Sequence, residues 1–441
     1  MSLRKLTTEE IDILCGRGCC ADDWNGIEVA EKFDAGKIRN CRFKGRIIIG
    51  ENVFISNIGA YISNIRIEDD ACIENTGIIE TTGESTFGIG TMVRTINESG
   101  GREVPIYPGL TAQIAYLTAI YRNYPKAIKR IYDMVEGEYA APVRGSMGLV
   151  GKGAHVTGCG TLRNVRIEGN ALIEGSEMLN NTTIVSKTAR RTYIGPGVKM
   201  FDSIAVSGAV ISNGGLLQRC FVAGATKLSA LSGADSLIFS NSQCENGEIC
   251  SIFAGPFTIT HHRSTLLIAS MFSFFNAGSG SNMSNHLFKS GPVHQGVFRR
   301  GSKLGSNAYV MHPSLIGNYT TVIGRHRAHP DTDDFPFSIL IEDGDGSYLV
   351  PGINLGSCGT ARDIVKWMKR DIREEGSPDI INFNENNPFI AQKILRAIEI
   401  SEQLLTKEDL DIHNYRRMKI KSTMLKRGLR LYLLARDRYL G

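Results

Sequence analysis

The amino-acid sequence predicts a mainly β protein, a parallel β-helix with a helical insertion and an α-rich C-terminal domain. Short aliphatic steps recur about every six residues, 48 glycines against 13 prolines indicate many tight corners, and helical periodicity is confined to two regions. We divide the chain into a helical or irregular segment (1–45), a first β-helix block (46–105), a helical insertion (106–145), a main β-helix (146–330) and an α-rich cap (331–441).

The six-residue repeat is clearest in residues 46–78 and resumes in 165–176, 192–215 and 302–326. Each step places an aliphatic residue before a small or polar one, as in Ile55-Ser56. A six-residue unit is a short strand plus a corner, so three units form one coil of about 18 residues, and stacked coils bury the aliphatic side chains. The residues expected inside are Ile49, Ile55, Ile67, Ile73, Ile167, Ile173, Ile194 and Ile316.

Composition narrows the function classes. The formal net charge of +5 is too small to indicate a specific nucleic-acid binder, and the opening MSLRKLTTEEIDIL lacks the apolar run of a signal peptide. We therefore expect a cytoplasmic protein with reduced thiols. The ten cysteines contain no CxxC pair; Cys15, Cys19 and Cys20 form the one cluster, which either packs or serves a metal or redox role.

Two regions have helical periodicity. Residues 108–139 predict two helices, the second opened by Pro125, as a packed hairpin, a lid or a subunit contact. After residue 330 the sequence predicts a strand, a turn and a strand, then a helix capped by Thr360, and helix to the end. Residues 413–441 carry nine Lys or Arg and one acid, a basic amphipathic pattern.

This basic C-terminal helix has two interpretations. It contacts an acidic partner or a membrane surface, or it is a solvated basic face whose apolar stripe packs on the protein. The stripe consists of Leu425, Leu429, Tyr432 and Leu433.

The steps IEDDACIE, IEGNALIE and IGNYTTVIG resemble the hexapeptide-repeat left-handed β-helix acyltransferase superfamily, which includes the C-terminal β-helix part of bacterial sugar-nucleotide uridylyltransferase/acetyltransferases. The resemblance implies a left-handed helix, a homotrimer, and acyl or acetyl transfer from an acyl-CoA or acyl-carrier thioester to a sugar nucleotide or related amine or hydroxyl. The alternative is a non-catalytic scaffold or sugar-nucleotide-binding protein. Neither a P-loop nor a Rossmann fingerprint is present, and CGRG is a poor match to a nucleotidyltransferase loop.

The stretch FNAGSGSNMSNHLFKSGPVHQG (275–296) is the candidate site. It resembles the acetyl-transfer segment of the uridylyltransferases, with Asn285 at the position of an asparagine and His286 replacing its aromatic neighbour. Acyl transfer needs a base and donors for the developing oxyanion, which histidine, asparagine and glycine-rich backbone supply. The alternative interpretation is that this stretch is only a turn-rich corner of the fold.

Particular roles follow from this hypothesis. His286 is the leading general base, with His262 and His294 as alternates brought near by coil stacking. The residues assigned to substrate binding are Asn285, Lys289, Arg263, Gly278, Gly280 and Asn282. A second group of histidines and acids is either an ordinary loop or a divalent metal site. It consists of His312, His326 and His329, followed by three aspartates.

Overall fold

The computed structural model describes residues 2–285, 295–344, 346–407 and 410–441. Within it the chain divides into two compact units, each dominated by short parallel strands stacked in columns, and this confirms the predicted parallel β-solenoid. The N-terminal unit comprises Met1–Val93, Glu103–Ala234 and Arg373–Pro378. The C-terminal unit comprises Arg94–Arg102, Asp235–Ile372 and Asp379–Gly441.

The helices of the described residues lie in three places: before the first coils, in the insertion, and at the C-terminus. They are α1 (Thr8–Gly16), α2 (Ala112–Ile120), α3 (Pro125–Met134), α4 (Cys358–Lys369), α5 (Pro388–Leu405) and α6 (Ser422–Leu440). None of them combines the length and apolar character that crossing a membrane requires. The prediction of two helices within 108–139, with Pro125 at the start of the second, is confirmed.

The strands of the N-terminal unit are two to eight residues long. They are Leu3–Lys5, Cys20–Ala21, Ile27–Ala30, Ile38–Arg39, Arg42–Ile49, Phe54–Ser56, Tyr61–Ile67, Cys72–Glu74, Ile78–Glu80, Met92–Arg94, Glu103–Pro105, Gly148–Val150, His155–Thr157, Thr161–Ile167, Leu172–Glu174, Met178–Ile184, Tyr193–Ile194, Lys199–Phe201, Ile204–Ala205, Val210–Ser212, Leu216–Val222 and Lys227–Ser229.

The strand Ser232–Ile238 lies where the two units meet in sequence. The strands of the C-terminal unit are Gln243–Glu245, Glu248–Cys250, Phe253–Ala254, Ile259–Thr260, Leu266–Ile268, Ser270–Phe272, Asn276–Ala277, Asn282–Ser284, Gly296–Phe298, Lys303–Leu304, Tyr309–Met311, Ser314–Ile316, Thr321–Ile323, Arg325–His326, Ile339–Asp343, Gly346–Val350, Ile412–Tyr415 and Met418–Lys421.

A ladder of aliphatic side chains forms the interior of the N-terminal unit. Parallel register places Ile55 beside Ile73, Ile73 beside Val156, and Val156 beside Ile173, and all four are fully buried. Because Ile73 stacks directly on Val156, the first repeat block and the start of the main block are one stack of coils within this unit. All eight isoleucines expected inside are buried, which confirms the register of the repeat.

Asparagines form the corners of the coils. Asn40, Asn57 and Asn75 have φ values of 52°, 55° and 49°, a left-handed conformation that asparagine tolerates better than other side chains with a Cβ. Their side chains also bond along the stack: the Asn40 amide donates to Asn57 Oδ1 (2.9 Å), and the Asn57 amide donates to Asn75 Oδ1 (3.0 Å). The corner residue therefore supplies both the turn and a bond between coils.

The Asn57 corner gives a test of this account. Asn57→Ala should lower the free energy of unfolding by about 1–2 kcal/mol. Alanine is less stable than asparagine in the left-handed conformation, and it cannot make either of the two side-chain hydrogen bonds. Asn57→Gly is the matched control, since glycine adopts a φ of 55° freely and should cost less. Urea unfolding measures both. Equal losses in the two variants would contradict the conformational part of the argument.

The first block of stacked coils begins and ends at earlier residues than the sequence indicates. Parallel pairing already starts at Cys20–Ala21, which pairs with Arg42 and Phe43, within the segment expected to be helical or irregular. The first block ends at Glu80, because the next stacked strand is Gly148–Val150. Residues 92–94 and 103–105, expected in a coil, instead pair as a separate two-stranded sheet.

The C-terminal region has more strand than expected. The strand, turn and strand after residue 330 form an antiparallel hairpin, Ile339–Asp343 with Gly346–Val350, as predicted. The prediction of helix for the whole remainder is wrong, since Ile412–Tyr415 and Met418–Lys421 form a second hairpin before α6. Thr360 is not the cap of α4: the chain is extended at Ser357 and helical from Cys358, so Thr360 lies within the first turn.

Candidate functional site

Residues 285–295 follow strand Asn282–Ser284 and precede strand Gly296–Phe298 in the C-terminal unit, and we call them the 285–295 connection. Strand Asn282–Ser284 stacks on Leu266–Ile268, and strand Gly296–Phe298 stacks on Ser270–Phe272. A single residue, Ala269, makes the same connection in the preceding coil. The proposed base His286, the substrate ligand Lys289 and the alternate base His294 lie outside the described residues.

Coil stacking accounts for the small residues before this connection. Gly280 has a φ of +69°, and a Cβ there would lie 2.4 Å from Asn307 Oδ1 of the next coil. A Cβ on Gly278 would lie 2.8 Å from the backbone of Gly305. Asn282 is half-buried in register between Leu266 and Tyr309. These three residues therefore have packing roles whether or not a ligand binds.

Asn285 lies at the start of the connection and is 5% exposed. Its amide nitrogen donates to Glu98 Oε2 at 3.2 Å, and its Oδ1 is buried without a hydrogen-bond partner among the described residues. Glu98 belongs to Arg94–Arg102, a segment that is part of the same compact unit as Asn285. The acceptor of Asn285 is thus free while its donor is engaged.

His262 and Arg263 lie at a different corner. Both are exposed, and they connect Ile259–Thr260 to Leu266–Ile268, whereas the 285–295 connection leaves from the other end of that strand column. His261, beside them, is half-buried with its Nδ1 3.9 Å from Glu245 Oε1. The structure therefore does not bring His262 and Arg263 to Asn285 on a shared corner.

His312 occupies the corner next to the 285–295 connection, where it is fully buried. Its Nε2 lies 3.0 Å from the Ile268 carbonyl oxygen and 2.8 Å from Ser270 Oγ, and its Nδ1 lies 3.0 Å from Ser314 Oγ. Since a carbonyl only accepts, the proton sits on Nε2 and the Ser314 hydroxyl donates to Nδ1. Burial lowers the pKa of His312 to about 4, so the ring is a neutral structural bridge.

His326 has the same arrangement. Its Nε2 donates to the Ile323 carbonyl oxygen at 3.1 Å, and the Ser347 hydroxyl donates to its Nδ1 at 2.7 Å. Burial lowers the pKa of His326 as well. In two of the three histidines considered for a metal, both ring nitrogens therefore make hydrogen bonds within the fold. Among the described residues, no three side chains of His, Cys, Asp or Glu converge to form a metal site.

His329 is different, because it lines a cavity of about 510 Å³. Its side chain is half-buried, and its buried Nδ1 has no hydrogen-bond partner among the residues the structure describes. The same holds for Oε1 of Gln295, the residue that ends the 285–295 connection. The cavity is lined by Gln295, Pro313, Ser314, Leu315, His329, Asp331, Arg416 and Arg417. We call it the His329 pocket.

Arg416 and Arg417 form the two-residue turn of the hairpin Ile412–Tyr415 and Met418–Lys421. Both have a left-handed backbone, with φ values of 42° and 66°, at positions where hairpins favour Asn-Gly. Each such residue costs about 1–2 kcal/mol relative to a right-handed conformation. Positive φ also occurs at ordinary coil corners such as Asn57, so the strain gives a reason to look for a role of these arginines but does not assign one.

The two arginines differ in their partners. Arg416 pairs with Asp331 and Asp334, each at 2.7 Å, whereas Arg417 is exposed and no acid in the described ranges lies within 4.0 Å of it. Arg417 therefore presents an uncompensated positive charge at the pocket.

A buried ionic network holds the pocket's acidic side. Asp333 accepts from Arg299 Nε (2.8 Å) and Lys393 Nζ (2.5 Å). Burial alone would raise the pKa of Asp333, but these two cations outweigh it and lower the pKa. Asp334 accepts from the Tyr415 hydroxyl at 2.6 Å, and burial together with that bond raises the pKa of Tyr415. Asp331 and Asp334, two of the aspartates considered for a metal site, thus anchor the arginine hairpin.

Sequence reasoning noticed His329 but not its pocket. The signal that was missed is the alternation in residues 412–421, IHNYRRMKIK, where the buried residues His413, Met418 and Ile420 alternate with exposed neighbours. The high content of basic residues made this stretch resemble a continuation of the helix. Read as a hairpin, it predicts an Arg-Arg turn.

The fold and the pocket define a β-solenoid protein with a basic, histidine-containing cavity at one corner of its coils. A family model described as a domain of unknown function, DUF4954, matches residues 3–52 and 46–405, and the chain belongs to this family.

Proteins similar to the chain include one relative and two solved structures. An uncharacterized protein of Treponema pallidum (strain Nichols) is 26% identical over 382 residues, which are 76% of this chain and 52% of the relative, so the chain spans about half the relative's length. LpxA from Acinetobacter baumannii aligns at 10% identity over 89% of this chain and 84% of its own, with a TM-score of 0.15. A putative acetyltransferase from Desulfovibrio desulfuricans G20 aligns at 9% identity over 66% and 63%, with a TM-score of 0.14. Scores this low carry no inference about activity.

Proposed function

We propose that the His329 pocket binds an anionic acceptor, such as a sugar nucleotide, and transfers an acyl or acetyl group to it from a thioester, acyl-CoA or acyl-carrier. The observation that carries this proposal is the convergence of an uncommitted imidazole and an unpaired, conformationally strained Arg417 on one cavity. An arginine recognises phosphate through charge-assisted hydrogen bonds, and an imidazole is suited to accept a proton at neutral pH.

The reaction divides into steps for named groups. Arg417 binds the acceptor's phosphate, and His329 takes the proton from the acceptor's amine or hydroxyl as that atom attacks the thioester carbonyl. A C–N or C–O bond forms, the C–S bond breaks, and the leaving thiolate receives the proton. Of the other groups in the sequence hypothesis, Asn285 offers only its free Oδ1 as an acceptor, because its amide already donates to Glu98, and a role for His286 stays a prediction.

The alternative is a sugar-nucleotide-binding protein or scaffold that carries out no reaction. It is favoured by the structural use of His312 and His326, which leaves few histidines for chemistry. The homotrimer implied by the family resemblance, and an acidic or membrane partner for the C-terminal basic residues, stay predictions.

One experiment separates turnover from binding. Purified protein is mixed with acetyl or longer acyl thioesters and a panel of amino- and hydroxy-sugar nucleotides, and release of free thiol is followed with and without acceptor. Acceptor-dependent release supports the transferase. A thermal shift with a nucleotide, without thiol release from any donor, supports the binding protein; a ligand at 100 times its dissociation constant adds about 2.7 kcal/mol.

Arg417 provides a prediction in which stability and binding change in opposite directions. Arg417→Gly should raise the free energy of unfolding by about 1 kcal/mol, because glycine adopts a φ of 66° without penalty. The same change should weaken binding of the anionic acceptor at least tenfold through loss of the cation. Urea unfolding and calorimetric titration measure the two effects. Arg417→Lys is the control that keeps the charge; unchanged affinity in the glycine variant would remove Arg417 from the site.

A further inference from the structure

A second cavity, of about 430 Å³, lies among the helices of the C-terminal unit. Its walls come from α4, α5 and α6, and it shares no lining residue with the His329 pocket. Most of the wall is aliphatic. The apolar lining includes Leu355, Ile364, Val365, Ile390, Ile394 and Leu431.

The helices around this cavity are incompletely packed. The twelve-residue helix α4 contains no buried residue, although Ile364, Val365, Trp367 and Met368 all lie on it. Val365 is 54% exposed and Leu434, across the cavity on α6, is 66% exposed. Apolar side chains that face a cavity and retain this much exposure gain favourable burial when an apolar group enters.

The rim of the cavity is polar and carries one basic and one acidic side chain, Arg438 and Glu385. Arg438 and Tyr439 lie at the end of α6, with Glu385 and Asn386 on the other side. Within the described ranges no acid lies within 4.0 Å of Arg438, whereas its neighbour Arg436 is paired with Asp437 at 2.7 Å. Glu385 is the one carboxylate in the lining. An apolar interior with an unpaired guanidinium at its mouth matches a molecule with an apolar tail and an anionic head.

We propose that this cavity binds a single-chain amphiphile, with the acyl or alkyl chain between α4 and α6 and the anionic head on Arg438. The volume falls within the range of small-molecule pockets, so one chain enters rather than a protein segment. Contact with a bilayer surface by the basic helix is the competing explanation. This site is independent of acyl transfer at the His329 pocket.

The test is isothermal titration of the full chain with dodecyl phosphate and with dodecyl maltoside, both below their critical micelle concentrations. We expect saturable binding of one dodecyl phosphate per chain and at least tenfold weaker binding of the uncharged maltoside. Arg438→Gln should abolish this preference while leaving maltoside binding unchanged. Arg430→Gln, on the same helix but outside the lining, is the matched control and should retain the preference.

Filling the cavity tests the position of the chain. Ala391→Phe and Ala435→Phe each place a ring in the cavity from a different helix, and either should lower affinity for both amphiphiles at least tenfold. Circular dichroism shows whether each variant folds. If one of them does not, the affinity of the other variant tests whether the chain occupies the cavity. His329→Gln should leave amphiphile binding unchanged, so failure of acyl transfer and failure of this proposal are distinguishable.

Three results would overturn the proposal: no saturable binding to the full chain, undiminished affinity in a folded cavity-filling variant, or binding only to anionic vesicles and not to the monomeric amphiphile. The last result would assign the basic residues to a membrane surface instead.

Discussion

His329→Gln is expected to lower acyl-transfer turnover about 100-fold or more, with acceptor affinity and thermal stability nearly unchanged. Glutamine keeps a polar side chain of similar reach but cannot take a proton at neutral pH, and loss of a general base costs about 10²–10⁴ in rate. Stability should hold because the buried Nδ1 of His329 makes no hydrogen bond with any described residue. Steady-state kinetics, calorimetric titration and melting curves measure the three quantities.

The matched control is His262→Gln, the same change at an exposed histidine on another corner, which should leave turnover within about twofold. His286→Ala is the decisive comparison, because the sequence hypothesis makes His286 the base. If His286→Ala removes turnover while His329→Gln does not, His329 is not the base. If neither variant changes the rate, the pocket is not the active site.

The second large effect is the acid sensitivity that His312 gives to the C-terminal unit. An unfolded histidine has a pKa near 6.5, and burial lowers the pKa of folded His312 to about 4. Between these values the unfolded chain binds a proton that the folded chain does not, so stability falls as pH decreases from 6.5 and the loss is complete below about 4. The difference between the pKa of His312 in the unfolded chain and its pKa in the folded chain corresponds to a loss of about 3 kcal/mol of unfolding free energy.

His312→Gln isolates this contribution. At pH 7 the variant should be about 2–4 kcal/mol less stable, because Ser270, Ser314 or Ile268 loses its partner in a buried corner. The gap between wild type and variant should then narrow by about 3 kcal/mol on going to pH 4, since glutamine does not titrate.

Urea unfolding at a series of pH values measures this gap. His326 also has a lowered pKa, but its contribution is common to both proteins and cancels in the difference. His155→Gln, at an exposed histidine, is the control and should follow the wild-type curve in parallel. Parallel curves for His312→Gln as well would mean that His312 does not remain neutral in the folded state.

The solenoid was predictable because its signal is local. Each coil needs one branched aliphatic side chain per step, whatever the neighbouring coil contributes, so the period alone identified Ile55, Ile73 and Ile173 as interior. The two insertion helices were likewise visible, because apolar residues at helical spacing and Pro125 are local features. The coils starting at Cys20 were not visible, since their strands are irregular and gain partners only from the later repeat.

The candidate site was only partly predictable. Histidines near residues 286 and 312 stand out by composition, but the sequence does not distinguish a structural ring from a free one. His312 is structural because its partners, Ile268 and Ser270, lie two coils earlier in the stack. The hairpin that carries Arg417 was hidden, because basic residues alternating with apolar ones also fit an amphipathic helix.

The sequence by itself therefore determined the repeat, the direction in which its aliphatic side chains point, and the corner residues, since each depends on backbone preferences and burial within a few residues. Only the tertiary structure decided which histidine is free, which aspartates hold the Arg416 turn, and where helices leave a cavity. Those outcomes depend on pairs such as Arg416 and Asp331, or Val365 and Leu434, which are far apart in the chain and meet only through the packing of complete elements.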